Sequence, residues 1–275
     1  MKKNTGFNID RKVGIEIEFH LGGRYTMEQA QRKVRDAIRA KGIDCEIEGY
    51  NHRTRDHWKI VYDASVRHES LELVSPPLKG AMLFNELHKV TEALEEVGAK
   101  VDKSCGLHIH HDFNDATLDT FKNLYGIFAR YEDAIDELVA PSRRGMHNRF
   151  CKSPRINLQQ LEQADSIREI TDSIYSDRYI KLNAQSYRRH GTIEFRNHQG
   201  TVEYEKIANW IIFTQMMVER AFEGKVKLNK KATDWFNLKK VIRAYGWMGA
   251  DELQQRAISF LNKRRNHFKK QQRAA

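Results

Sequence analysis

Glu16 and Glu18 stand two residues apart in Val13-Gly14-Ile15-Glu16-Ile17-Glu18-Phe19-His20. A strand alternates its side chains, so the two carboxylates share one face about 7 Å apart, with His20 next in line and Val13, Ile15, Ile17 and Phe19 opposite. Like charges at that spacing repel unless a cation lies between them. Three further stretches repeat the design. Leu71-Glu72-Leu73 carries Glu72, with Glu69 just before it. The run from Gly106 to Asp112 sets Gly106, His108, His110 and Asp112 against Leu107 and Ile109. The run from Thr192 to His198 sets Thr192, Glu194, Arg196 and His198 against Ile193 and Phe195. Carboxylate oxygens with an imidazole suit a hard divalent cation, magnesium or manganese, better than zinc. Each stretch alone also reads as a solvated sheet face, a surface histidine pair or an ion pair worth little. The four together point to a site, and no Walker loop, dinucleotide fingerprint or His-Glu-x-x-His helix competes with it.

The elements that must position these groups alternate along the chain. Thr26 caps a helix from Met27 to Ala40, and two strand-like stretches, Ile43 to Gly49 and His57 to Tyr62, follow around a polar turn. A strand at Leu71 to Val74 stops at Ser75-Pro76-Pro77. A helix over Ala81 to Val97 precedes the histidine strand. Asp115 is placed to cap a long helix from Ala116 to Val139, broken by Pro141. A loop over 142–154 and a weaker helical region lead to a hairpin of Tyr179 to Ser186 with Thr192 to Asn197. Helices fill the remainder. This pattern predicts an α+β fold with a curved, mostly antiparallel sheet flanked by helices. It divides into a main domain over 10–225 and a C-terminal helical appendage over 226–275 with a basic tail.

A chain of 275 residues with 31% charged and 40% hydrophobic residues fits a globular protein, and no apolar run is long enough to span a bilayer. Three cysteines without a Cys-x-x-Cys pair, and no apolar run behind the N-terminal lysines, predict a cytoplasmic location without a membrane partner. Cys105 is expected to be a packed thiol rather than a ligand. His111 is expected to face away from His108, with His110 a substrate contact or a support for the ligands. Net charge is +10, with a basic concentration at Lys263-Arg264-Arg265, Lys269-Lys270 and Arg273. That favours anionic partners, although the block is short and poor in interleaved aromatics. Trp235 and Trp247 are expected to pack the C-terminal helices.

The ordered set Gly14-Ile15-Glu16-Ile17-Glu18-Phe19, Glu72-Leu73-Val74-Ser75-Pro76-Pro77-Leu78, Cys105-Gly106-Leu107-His108-Ile109-His110 and Thr192-Ile193-Glu194-Phe195-Arg196 resembles the amidoligase family, carboxylate–amine ligases of glutamine-synthetase-like fold. The resemblance covers about residues 10 to 220. It implies ATP- and magnesium-dependent (or manganese-dependent) formation of an amide or peptide-like bond, through an acyl phosphate, on a peptide, protein or amino-acid substrate. On the family pattern Glu16, Glu72 and Glu69 hold one metal, and Glu18, His108 and Glu194 the other. Glu18, Glu194, Arg196 and Arg188 carry the chemistry. Lys181, Arg189, Arg143, Arg144 and Arg149 take the ATP phosphates, and Asp63, Ser65 and His110 line the substrate side. The chain is much shorter than glutamine synthetase, so the ring oligomer does not carry over. The alternative reading is a metal-dependent nuclease or nucleic-acid-binding protein that uses the basic C-terminal tail.

Overall fold

Val13, Ile15, Ile17 and Phe19 are fully buried, and the strand they define, β1 (Val13–Phe19), is flanked by antiparallel β4 (Leu71–Val74). The computed structural model describes residues 6–23, 25–62, 70–146, 148–224, 226 and 232–274. The other strands are β2 (Cys45–Ile47), β3 (Trp58–Tyr62), β5 (Gly106–Asp112), β6 (Leu182–Asn183) and β7 (Thr192–Gln199). They form one sheet in the order β2-β3-β4-β1-β5-β7-β6. The α+β class and the mixed, mostly antiparallel sheet agree with the sequence pattern. Two features differ. β2 and β3 run parallel, joined by the loop of residues 48–57 rather than by the tight turn of an antiparallel hairpin. The sheet is also not strongly curled, contrary to the expected curvature.

Among the described residues the helices are α1 (Met27–Ala40), α2 (Gly80–Glu96), α3 (Leu118–Arg130), α4 (Glu132–Asp136), α5 (Leu158–Gln163), α6 (Ile167–Glu169), α7 (Gln185–His190), α8 (Tyr204–Phe222), α9 (Trp235–Val241) and α10 (Glu252–Ala274). Thr26 caps α1 through a reciprocal pair with Gln29. The expected long helix is two. Thr117, not Asp115, caps α3 together with Thr120, and Tyr131 separates α3 from α4. The loop of the expected hairpin folds instead as α7, closed by Gly191 in the left-handed conformation at φ +65°.

The described residues group into two compact units. The first comprises 9–110 and 198–208. Trp58, Ile60, Leu71, Leu73 and the β1 aliphatics are buried on one face of its strands, Val34 and Ile38 of α1 and Leu83, Leu87 and Val90 of α2 are buried as well, and α1 packs against β2 and α2. The Trp58 indole donates to Glu86 of α2 at 2.7 Å. Helices therefore cover the apolar face of these strands and leave the other face to the polar residues. Gly200 lies close against β5: its N–H donates to the Cys105 carbonyl at 2.7 Å, and a Cβ there would sit 2.5 Å from the Cys105 Cβ. The second unit comprises the described residues of 1–8, 111–197 and 209–275. In it β6 pairs with β7, Leu182 opposite Phe195 and Asn183 opposite Glu194. Residues 209–275 thus group with 111–197, and Arg264 of α10 donates to the Leu138 carbonyl at 2.9 Å.

Candidate metal centre

Strand pairing alone assembles the first unit's polar face. Glu18 lies opposite Glu72 in the β1–β4 register, and Glu16 opposite Val74. Directly opposed residues share a face, so Glu16, Glu18 and Glu72 sit together without any inward curl. From β5, His108 Nδ1 lies 2.9 Å from Glu16 Oε2, and His108 Nε2 lies 3.5 Å from Glu18 Oε1. His110 Nε2 reaches to 3.2 Å from Glu16 Oε1. The Gly106 N–H donates to Glu18 Oε2 at 2.5 Å. Glu18 and His108 are buried, while Glu16 and Glu72 are half-buried.

Burial alone would raise the Glu16 carboxyl. The charge of His110 and the hydrogen bonds from His108 and His110 outweigh burial and hold Glu16 well below the usual carboxylate range. Glu16 is therefore an anion at neutral pH. One donor atom each from Glu16, Glu72 and His108 lie within 4.8 Å of one another. Two carboxylates at that distance repel by on the order of 3 kcal/mol in a partly buried setting. Burial of four side chains on the opposite face of β1 contributes roughly 1.5–3 kcal/mol each, so the strand holds despite the repulsion. A divalent cation between the ligands would turn the repulsion into attraction, and oxygen, oxygen and imidazole nitrogen fit magnesium or manganese.

Lys59 on β3 belongs to this face and was not singled out by sequence reasoning. It lies opposite Val74 in the β3–β4 register, as Glu16 does from the other side. Burial lowers its ammonium below the usual lysine value, against the opposing charges of Glu48, Glu72 and Glu16. Its Nζ donates to Asn51 O, Asn51 Oδ1 and Arg53 O at 3.2, 3.0 and 2.8 Å, which ties the loop after β2 to the face. The available signal was a lysine alternating with Trp58 and Ile60 in the same period of two. That loop carries a saturated carboxylate, Glu48, which accepts Arg55 at 2.7 and 2.9 Å and Asn51 at 2.8 Å. The Arg55 pair is the main reason the Glu48 carboxyl is lowered to about 2.

In the second unit Glu194 is buried, accepts the Asn183 amide at 2.6 Å and is hydrogen-bonded by Arg196. Arg196 also lies 6.0 Å from the centre of the Tyr179 ring. Lys181 is 0% exposed, and its ammonium donates to Glu132 at 2.6 Å and to Asp136 at 2.8 and 2.7 Å. Three such bonds use all its donors and leave none for a phosphate. Ser153 and Arg155 complete the surroundings of Glu132, and the Gly145 N–H donates to Asp136 at 2.8 Å. Burial raises the Asp136 carboxyl above its ordinary value, although Lys181 opposes that. Arg143 is buried. Arg144 donates to the Val139 carbonyl at 2.9 Å and lies over Phe268. Arg149, Arg188 and Arg189 are exposed, with Arg188 3.1 Å from Asp172.

His111 is fully buried and pairs with Thr214 Oγ1 at 2.8 Å, on the face opposite His108 as expected. Cys105 is a buried thiol, as are Cys45 and Cys151; burial pushes the Cys45 thiol up to about 12. Asp63, Ser65 and Glu69 lie outside the described residues. No helix among the described residues is long and apolar enough to cross a membrane.

The sequence profile of a family described as "putative amidoligase enzyme" matches residues 9–218, more than half of the 275. No curated protein matches the chain.

Proposed function

The chain belongs to the amidoligase family, and from that premise we propose that it is an ATP- and magnesium-dependent carboxylate–amine ligase acting on a peptide, protein or amino-acid substrate. The observation that carries the reading is the convergence of Glu16, Glu72 and His108 donor atoms within 4.8 Å. In this reading Glu16, Glu72 and His108 hold one cation, and Glu18 is a further ligand. Bound magnesium or manganese supplies positive charge for the ATP phosphates and for the charge that develops during phosphoryl transfer.

The chain's own groups have separable roles. His108 and His110 orient the Glu16 carboxylate and keep it ionised. The Gly106 N–H fixes Glu18 so that one oxygen remains directed at His108. Arg196, aligned by Glu194, is the guanidinium proposed for an anionic oxygen of phosphate or substrate carboxylate. Exposed Arg149, Arg188 and Arg189 are the proposed phosphate contacts. Lys181 takes a structural role instead, because its donors are filled. The substrate carboxylate gains a phosphoryl group from ATP, the amine attacks the acyl carbon, and phosphate leaves with the C–O electron pair as the amide forms.

The test is magnesium-dependent release of ADP and phosphate with panels of carboxylates and amines. Glu72→Gln should lose it while remaining folded. A folded wild-type protein that neither binds ATP with magnesium nor releases ADP would remove the basis of the reading. Cleavage of DNA or RNA without ATP would favour a nuclease that uses the same carboxylates.

A further inference from the structure

Residues 219–275, beyond the family match, hold the whole charge excess of the chain. They contain 15 lysines and arginines against five acidic residues, a net of +10, while residues 1–218 balance at 32 of each. The described part of this segment also exposes aromatic rings. Trp235 packs as expected, buried with its indole N–H donating to Asn262 at 2.6 Å. Trp247 does not: it is 75% exposed, and Phe236 is 52% exposed.

These rings are arranged rather than scattered. Tyr245 stacks on Trp247 with centroids 5.9 Å apart and planes within 14°, and Phe236 stands edge-on to Tyr245 at 6.2 Å. Lysines border them. Lys240 Nζ lies 4.3 Å from the Phe236 ring centre, and Lys239 Nζ lies 5.4 Å from that of Tyr245. Asp234, an acidic group near Tyr245, is engaged in capping α9. The interleaving of cations and aromatics that the linear sequence lacks is thus present in space.

We propose that Phe236, Tyr245 and Trp247, with Lys239 and Lys240, form a binding platform for single-stranded nucleic acid. Bases extend the Tyr245–Trp247 stack from the solvent side, and backbone phosphates meet the lysines. An acidic peptide would answer the charge and leave the rings unused. A duplex hides the faces of its bases within its own stack and offers only phosphates. The proposal stands independently of the ligase reading.

Fluorescence anisotropy with a labelled single strand of about 12 nucleotides, oligo(dT) or oligo(rU), tests it on the full chain. Wild type binds, and Phe236→Ala with Trp247→Ala weakens binding by about tenfold or more, because each base loses its stacking partner. Trp247→Phe restores most of the affinity. Lys239→Gln with Lys240→Gln reduces the slope of log K against log salt by about 1.4. Circular dichroism and a melting curve verify that the variants are folded. The proposal is overturned if the aromatic double variant binds like wild type, if a duplex binds as tightly as a single strand, or if polyglutamate competes as well as unlabelled oligonucleotide.

Discussion

Around Lys181, Glu132 and Asp136 face two cations, Lys181 and Arg155, and all four carboxylate oxygens accept hydrogen bonds. Around Glu16, three carboxylates share a strand face with two imidazoles, and the ammonium of Lys59 is directed to loop oxygens. The first set is sealed; the second is half open and gathers three carboxylates on one strand face. Buried charge that is matched within the protein holds a fold together only as long as both partners remain. Carboxylates and imidazoles gathered on a rigid, half-open strand face are suited to a cation.

The largest effect expected from this contrast is on stability. Lys181→Met strands two buried carboxylates and should cost about 3–5 kcal/mol in urea unfolding. If Lys181 were a nucleotide contact instead, stability would hold and the KM for ATP would rise. The opposite pattern is expected in the first unit. Glu72→Gln should lower magnesium-dependent ADP release by about 100-fold or more, with an unchanged or raised melting point as repulsion with Glu16 is relieved. A melting point that fell as far as that of Lys181→Met would erase the distinction between the two regions.

A pH titration separates them further. The Glu48 carboxyl is lowered from 4.5 to about 2, so the unfolded chain takes up the proton first as pH falls. The stability contributed by the Glu48–Arg55 pair is fully present above about pH 4.5 and is lost as pH falls toward 2. Glu48→Gln should remove that part of the acid sensitivity and leave the remainder. The smallest effect is expected at the end of a helix. Thr117→Ala removes the cap of α3 and should cost about 1 kcal/mol in thermal unfolding, without changing metal binding.

β1 was legible because one period of two fixes both of its faces, and the burial of Val13, Ile15, Ile17 and Phe19 follows that alternation. The shared face of Glu16, Glu18 and His108 follows from the same rule applied to β1 and β5. What escaped depended on partners far along the chain. Lys59 joins the site face through the β3–β4 register, and the parallel pairing of β2 with β3 has no local signature. The pairing of Lys181 with Glu132 and Asp136 was not legible either, because those carboxylates come from α4, some 45 residues earlier. Trp247 was expected to pack because aromatic residues in helical segments usually do, yet it lies in the turn after α9.

Manganese binding tests the central claim most directly. Mn2+ titrated into the wild-type protein with a non-hydrolysable ATP analogue, and followed by electron paramagnetic resonance, should lose its free-ion signal as the site fills. Glu16→Gln with Glu72→Gln should weaken that binding by at least about tenfold at an unchanged fold, while Glu48→Gln leaves it intact. Equal Mn2+ binding by the wild type and the Glu16/Glu72 double variant would contradict a metal centre on the β4–β1–β5 face.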